Sequence, residues 1–101
     1  MNRNPKRGQE MTHESIEAIF SKMTDTLVKK NQDYHGASFD LGATGVYVHL
    51  HDKLTRYHHL AVEQAVSNFE STEDSLMDII GYAVIGLHIL KQEQEEKENE
   101  K

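Results

Sequence analysis

The stretch Leu76–Leu90, LMDIIGYAVIGLHIL, limits the possible folds more than any other part of the chain. Its apolar residues cover almost the whole circumference of a helix, which is typical of a helix buried on all sides. A membrane span needs about 20 consecutive apolar residues, whereas this run is shorter and contains Asp78 and His88. Too few helices fit in 101 residues to bury such a helix, so the sequence predicts self-association. The small residues that would let another helix approach closely are Gly81, Ala83 and Gly86.

Hydrophobic periodicity predicts an all-α fold with three main helices. We expect them at about residues 13–31, 46–68 and 72–95, with a long glycine-containing loop between the first two. Thr12 is the expected N-cap of the first helix, and Ser71 with Asp74 forms a capping box at the third. The predicted inward stripe of the second helix consists of Tyr47, Leu50, Leu54, Tyr57, Ala61 and Ala65.

The composition predicts one domain with charged ends. We expect residues 1–11 to form a disordered basic tail, 12–92 a single helical domain, and 93–101 a charged extension. The N-terminal residues lack the apolar segment of a signal peptide or membrane anchor, and the chain contains no cysteine. Both features favour a cytoplasmic location and no membrane partner.

The charge balance argues against a long nucleic acid as partner. The formal net charge is −6, and residues 11–90 hold five lysines and arginines against eleven acidic residues. Binding to a phosphate backbone requires an extended basic surface. A small anion needs only a local cluster of donors and therefore remains compatible with this composition.

Four of the seven histidines lie within residues 49–60. At 100° per residue, His51 and His58 fall at the edge of the inward stripe, whereas His49 and His59 fall on the opposite face. A helical zinc pair needs histidines at i and i+4 on one face, which this segment does not offer. We therefore expect half-buried histidines hydrogen-bonded to their neighbours. The His51-Asp52 doublet resembles the His-Asp pair in the metal site of HD phosphohydrolases, which we keep as a minor alternative.

Carboxylates provide a second candidate site. Asp74 and Asp78 are spaced i, i+4 on the third helix, and a carboxylate in apolar surroundings needs a cation, a hydrogen-bond donor or a proton. One hypothesis is a Mg²⁺ site that also uses Asp52 and grips nucleotide phosphates. The other is structural, with Asp78 pairing with Lys53 or Arg56. Asp52 could likewise form a surface pair with Arg56.

An anion-binding pocket can be assembled from cations and loop aromatics. Lys30 ends the first helix, and Lys53 and Arg56 lie on the second. Tyr34 and Phe39 could stack against a base. No Walker-type glycine loop, dinucleotide fingerprint or nucleophile elbow is present in the sequence.

The order of these motifs resembles the nucleotide modification associated domain 1 family, small helical proteins common in bacteriophages and prophages. The resemblance covers about residues 28–90 and departs from the family pattern at His35, where a glycine is expected. It implies a nucleotide ligand and a phage source, without a defined reaction. The residues that carry it are Lys30-Asn-Gln-Asp-Tyr34, Ser38-Phe39, Gly42 to Gly45, Asp52-Lys53, Arg56, Glu73-Asp74-Ser-Leu-Met-Asp78 and Tyr82.

A weaker resemblance is to the all-α nucleotide pyrophosphatases of the MazG type, which hold Mg²⁺ between carboxylates on two helices. Here the third helix supplies Glu70, Asp74 and Asp78, whereas the second offers only Asp52 and Glu63. Half of the metal cage is therefore missing.

Three functional hypotheses follow from the sequence. The first is a non-catalytic, oligomeric protein that binds a small nucleotide-type ligand, either to sequester a host signalling nucleotide as an anti-defence protein or to serve phage nucleotide metabolism in the host cytoplasm. The second is a nucleotide pyrophosphohydrolase with Mg²⁺ as its cofactor. The third is a structural or protein-interaction module.

Overall fold

A computed structural model describes residues 10–34, 42–64 and 71–100. All regular structure in these residues is helical, which confirms the all-α prediction. None of the described helices is long and apolar enough to cross a membrane. The elements are α1 (His13–Tyr34), α2 (Gly42–Tyr57) with a following π-helical turn (His58–Val62), and α3 (Thr72–Asn99).

Side-chain caps fix the beginnings of α1 and α3. The Ser15 N–H donates to Thr12 Oγ1 at 3.0 Å, and the Thr12 N–H donates to Ser15 Oγ at 2.9 Å. The predicted capping box at α3 is confirmed, because the Asp74 N–H donates to Ser71 Oγ and the Ser71 N–H donates to Asp74 Oδ2. Both caps satisfy amide groups that have no partner within the helix.

The predicted bounds of the second helix were wrong at both ends. The helix begins at Gly42, four residues before the predicted start, and Gly42 takes the left-handed φ of +68° that glycine tolerates best. Packing of Val46 against α3 outweighs the low helix propensity of the nearby glycines. The α-helix ends at Tyr57, and Gln64 with a φ of 57° lies beyond the π-helical turn. The central part of the predicted loop, residues 35–41, lies outside the described residues.

Two glycines of α3 allow α1 and α2 to pack closely against it. A methyl group at Gly81 would lie 3.4 Å from Met23 Sδ of α1, and one at Gly86 would lie 3.2 Å from Val46 Cγ1 of α2. The sequence predicts that Gly81 and Gly86 allow a helix of another chain to approach, but in the structure they accommodate α1 and α2 of their own chain. Val46, Ile85 and Ile89 form one buried cluster between α2 and α3, with Leu27, Leu50 and Tyr82 packed against it.

The inward face of α2 is rotated from its predicted position. Of the predicted inward stripe, Tyr47 and Leu54 are exposed, whereas Leu50, Tyr57 and Ala61 are half-buried as expected and Ala65 lies outside the described residues. Val46 and Lys53, which were not in the predicted stripe, lie on the packed side. The aliphatic stem of a lysine can cover apolar surface while its charged end reaches a polar partner. The third helix therefore packs against a stripe that includes a cation.

Burial within the single chain is limited. Among the described residues, the buried hydrophobic side chains are only Met23, Val46, Ile85 and Ile89. The radius of gyration is 17.2 Å, compared with about 13 Å for a compact domain of this length. An elongated chain with many exposed apolar side chains is consistent with the predicted self-association, which stays a prediction.

Candidate ligand-binding groove

All three helices contribute a charged side chain to one point in the structure. Asp78 of α3 forms an ion pair with Lys53 of α2, with Nζ 2.9 Å from Oδ2. Lys30 of α1 approaches the other carboxylate oxygen at 3.9 Å. Lys53 and Asp78 are largely shielded, with side chains 16% and 27% exposed, whereas that of Lys30 is 51% exposed. Two ammonium groups thus face the Asp78 carboxylate, while Asp74 lines the same groove as a second carboxylate.

This cluster lies at a groove between α1 and α3. The groove has a volume of about 430 Å³, within the range typical of small-molecule sites. Its lining combines ammonium, carboxylate and hydroxyl groups with apolar side chains. The lining residues are Lys22, Met23, Thr26, Leu27 and Lys30 from α1, and Asp74, Met77, Asp78, Gly81, Tyr82 and Ile85 from α3.

Tyr82 provides the aromatic surface of the groove. The His49 ring from α2 stacks on it, with ring centroids 4.6 Å apart and planes 9° from parallel. Burial raises the pKa of Tyr82, an effect that Lys53 opposes and Asp78 reinforces. The phenol therefore stays neutral and keeps its O–H as a donor at physiological pH. His49, expected on the outer face of its helix, instead helps to hold Tyr82 in place.

At the other end of the groove, charged groups are bound to partners within the chain. Lys22 Nζ lies 3.1 Å from Glu73 Oε1, and both side chains are exposed. The backbone N–H of Ser71 holds the pKa of Asp74 below its usual value, with further lowering by the Ser71 side chain. Asp74 therefore remains ionised as part of the cap.

The structure brings together two of the five residues expected to bind a ligand. Lys30 and Lys53 meet at Asp78. Arg56 is bound instead to Asp52, with Nε 3.3 Å from Oδ2 in the predicted i, i+4 surface pair. The remaining two, Tyr34 and Phe39, have side chains that lie outside the described residues.

The carboxylates considered for Mg²⁺ do not form a common site. Among the described residues, no three histidine, aspartate or glutamate side chains are arranged to hold a metal ion. Asp52 pairs with Arg56, Asp74 caps α3, and Asp78 pairs with Lys53. The structural interpretation of Asp78, in which it anchors Lys53, is the one that the structure supports.

The histidines of the second helix are spread over different surroundings. His58 Nδ1 lies 3.1 Å and His59 Nδ1 3.7 Å from Glu63 Oε1. The His51 ring lies beside Tyr47 at 6.1 Å. These contacts agree with histidines bonded to neighbours, but all three are exposed rather than half-buried.

Apart from Lys30, the wall that α1 contributes to the groove was not predicted from the sequence. Lys22 and Thr26 line it together with Lys30. These positions are spaced by four residues and thus form one row along the helix. A polar row next to the apolar positions Met23 and Leu27 was a signal that could have identified this wall.

Comparisons with known proteins add no relative. No protein-family model matches the chain, and no curated protein or solved structure matches it. Functional inference therefore depends on the groove itself and on the motif resemblance given by the sequence.

Proposed function

We propose that the chain binds a small anionic, nucleotide-type molecule in the groove between α1 and α3, without transforming it. The observation that carries this proposal is the convergence of Lys30 and Lys53 on the single carboxylate of Asp78. The partly shielded position of this cluster strengthens its interaction with an incoming anion relative to open solvent.

Lys30 is the cation best suited to receive the anion. Its contact with Asp78 is long at 3.9 Å and its side chain is half exposed, so the contact contributes little to stability. Lys53 is held firmly by Asp78 at 2.9 Å. An anionic group can therefore recruit Lys30 while Lys53 keeps Asp78 neutralised.

The rest of the lining suits the remainder of a nucleotide. Tyr82 offers a neutral phenol and an aromatic ring, and Thr26 offers a hydroxyl. Met23, Leu27 and Ile85 provide apolar surface. A flat base attached to a phosphate combines the two properties that such a lining can recognise.

The partners of the carboxylates favour binding over hydrolysis. Asp52, Asp74 and Asp78 each have a protein partner, and a Mg²⁺ ion would have to displace these partners from residues on two helices. The experiment described below distinguishes binding from the two alternatives, a pyrophosphohydrolase and a structural module.

The biological role that we propose rests on the motif resemblance. A phage protein that holds a nucleotide without converting it would sequester a host signalling nucleotide in the host cytoplasm, or serve phage nucleotide metabolism. Homo-oligomerisation belongs to the same proposal, since the single chain leaves much apolar surface exposed.

The test is to incubate the purified protein with nucleotides, cyclic dinucleotides and NAD-derived molecules in the presence of Mg²⁺. Free ligand is then removed, the protein is denatured, and both fractions are chromatographed. Intact ligand released only by denaturation is the expected result. Converted product in the free fraction would establish the enzyme alternative. If the protein neither retains nor converts any of these molecules, the structural-module hypothesis is favoured.

A further inference from the structure

Helix α3 carries two apolar faces in opposite directions. One face packs against α1 and α2 through Gly81, Ile85 and Ile89. At 100° per residue, the second face is centred nearly opposite the first. We call this second face the outer seam; it consists of Leu76, Ile80, Ala83, Leu87 and Leu90.

The described part of the chain leaves the outer seam open. Leu76, Leu87 and Leu90 are exposed, with Leu87 at 68%; Ala83 is exposed and Ile80 is half-buried. The seam extends over about 21 Å at 1.5 Å per residue. None of its members is charged. A continuous apolar surface of this kind marks an interaction site.

The spacing of the outer seam is that of a helix that packs against another helix. Its members are separated by 4, 3, 4 and 3 residues, which is the alternation of coiled-coil core positions. The same alternation continues to Glu73 on one side and to Gln94 and Lys97 on the other. The apolar seam therefore ends in polar positions of different charge.

We propose that the outer seam binds the outer seam of a second copy of this chain, with the two α3 helices antiparallel. The sequence of the seam is nearly symmetric about Ala83, since Ile80 and Leu87 flank it closely and Leu76 and Leu90 flank it further out. A two-fold antiparallel pair sets Ala83 against Ala83, Ile80 against Leu87 and Leu76 against Leu90. A two-fold interface requires such self-complementarity.

Opposed helix dipoles favour the antiparallel orientation over a parallel pair. The charges at the ends of the seam do not decide the orientation, because Glu73 is paired with Lys22 of its own chain and Gln94 is flanked by Glu93. The interface forms on the face of α3 opposite to Gly81 and is therefore independent of a ligand in the groove.

The first test compares the mass of the protein in solution before and after a charge is placed in the seam. Light scattering of the natural chain is expected to give the mass of two chains, and Leu87→Glu is expected to give that of one. The control is Leu54→Glu on α2, which also replaces an exposed leucine and should keep the mass of two chains. A natural chain with the mass of one copy, or a Leu87→Glu variant that keeps the mass of two, would overturn the proposal.

The second test uses the lack of cysteine in the chain to determine the orientation. Under mild oxidation, Ala83→Cys should form a disulfide-linked dimer, since the same position of both copies meets at the two-fold axis. Leu76→Cys alone should not link, whereas a mixture of Leu76→Cys with Leu90→Cys should. Linking of Leu76→Cys to itself would show a parallel pair, and an Ala83→Cys variant that fails to link would also contradict the antiparallel seam.

Discussion

Lys53 Nζ of α2 lies 2.9 Å from Asp78 Oδ2 of α3, and both side chains are mostly shielded from solvent. This ion pair connects the two helices that form the core, and it lies next to the groove to which Lys30 contributes. Loss of this contact should therefore affect the stability of the fold, which unfolding experiments measure. It should also affect ligand binding in the groove, which affinity measurements detect.

Loss of one partner of this pair should destabilise the fold. Lys53→Met leaves the Asp78 carboxylate without its closest cation, and we expect the free energy of unfolding to fall by about 1.5–3 kcal/mol. Urea unfolding of the single and double variants with Asp78→Asn measures the coupling between the two residues. The matched control is the exposed Asp52–Arg56 pair, for which a coupling of about 0.3–0.5 kcal/mol is expected. Equal coupling in both pairs would refute the structural role of Asp78.

The capping box should make stability depend on acid pH through Asp74. Its pKa in the folded protein is lowered, chiefly by the hydrogen bond from the Ser71 N–H. Its contribution is therefore fully present above the ordinary carboxyl pKa of about 4 and is lost as the pH falls through the lower, folded-state value. Thermal unfolding of the natural chain and of Asp74→Asn should differ at pH 7 and converge towards pH 2. Asp25→Asn, which changes another exposed carboxylate, should show no such convergence; a constant difference for Asp74→Asn would contradict the cap.

The two packed glycines of α3 should respond differently to alanine. A methyl group at Gly81 meets the flexible Met23 side chain at 3.4 Å, whereas one at Gly86 meets the β-branched Val46 at 3.2 Å. Gly81→Ala should therefore gain much of the roughly 1 kcal/mol by which alanine exceeds glycine in helix propensity. Gly86→Ala should gain this stability only in combination with Val46→Ala, which removes the side-chain atoms that the new methyl group would contact. Chemical unfolding of these variants tests the contrast, and additive effects of Gly86→Ala and Val46→Ala would show that the close contact is absent.

The fold could be predicted further than the site. Hydrophobic periodicity and the capping pair Ser71 and Asp74 depend on neighbours in the chain, so local rules identified the three helices and the beginnings of α1 and α3. The rotation of α2 depended on tertiary packing, because Lys53 occupies a position that sequence patterns normally give to an apolar side chain. The wall formed by Lys22 and Thr26 became visible only when α1 was placed across α3.

Tyr82 should limit stability at alkaline pH. Burial raises its pKa above the ordinary value of about 10, so its contribution is fully present below pH 10 and is lost as the pH rises through the folded-state value. Between pH 9 and 11, Tyr82→Phe should therefore lose less stability than the natural chain. Tyr47→Phe at an exposed tyrosine should follow the natural chain. Parallel pH profiles for the natural chain and Tyr82→Phe would show that the Tyr82 phenol is not buried.

The proposed binding of an anion at Lys30 is tested most directly by the affinity of Lys30→Gln and Lys29→Gln for the nucleotide retained by the natural chain. The two lysines are adjacent and both exposed, but only Lys30 lines the groove. Isothermal titration calorimetry should show Lys30→Gln binding about tenfold more weakly or worse, since a charge-assisted hydrogen bond contributes about 1.5–3 kcal/mol. Lys29→Gln should keep the natural affinity. Equal affinities of the two variants would contradict the assignment of the groove as the binding site.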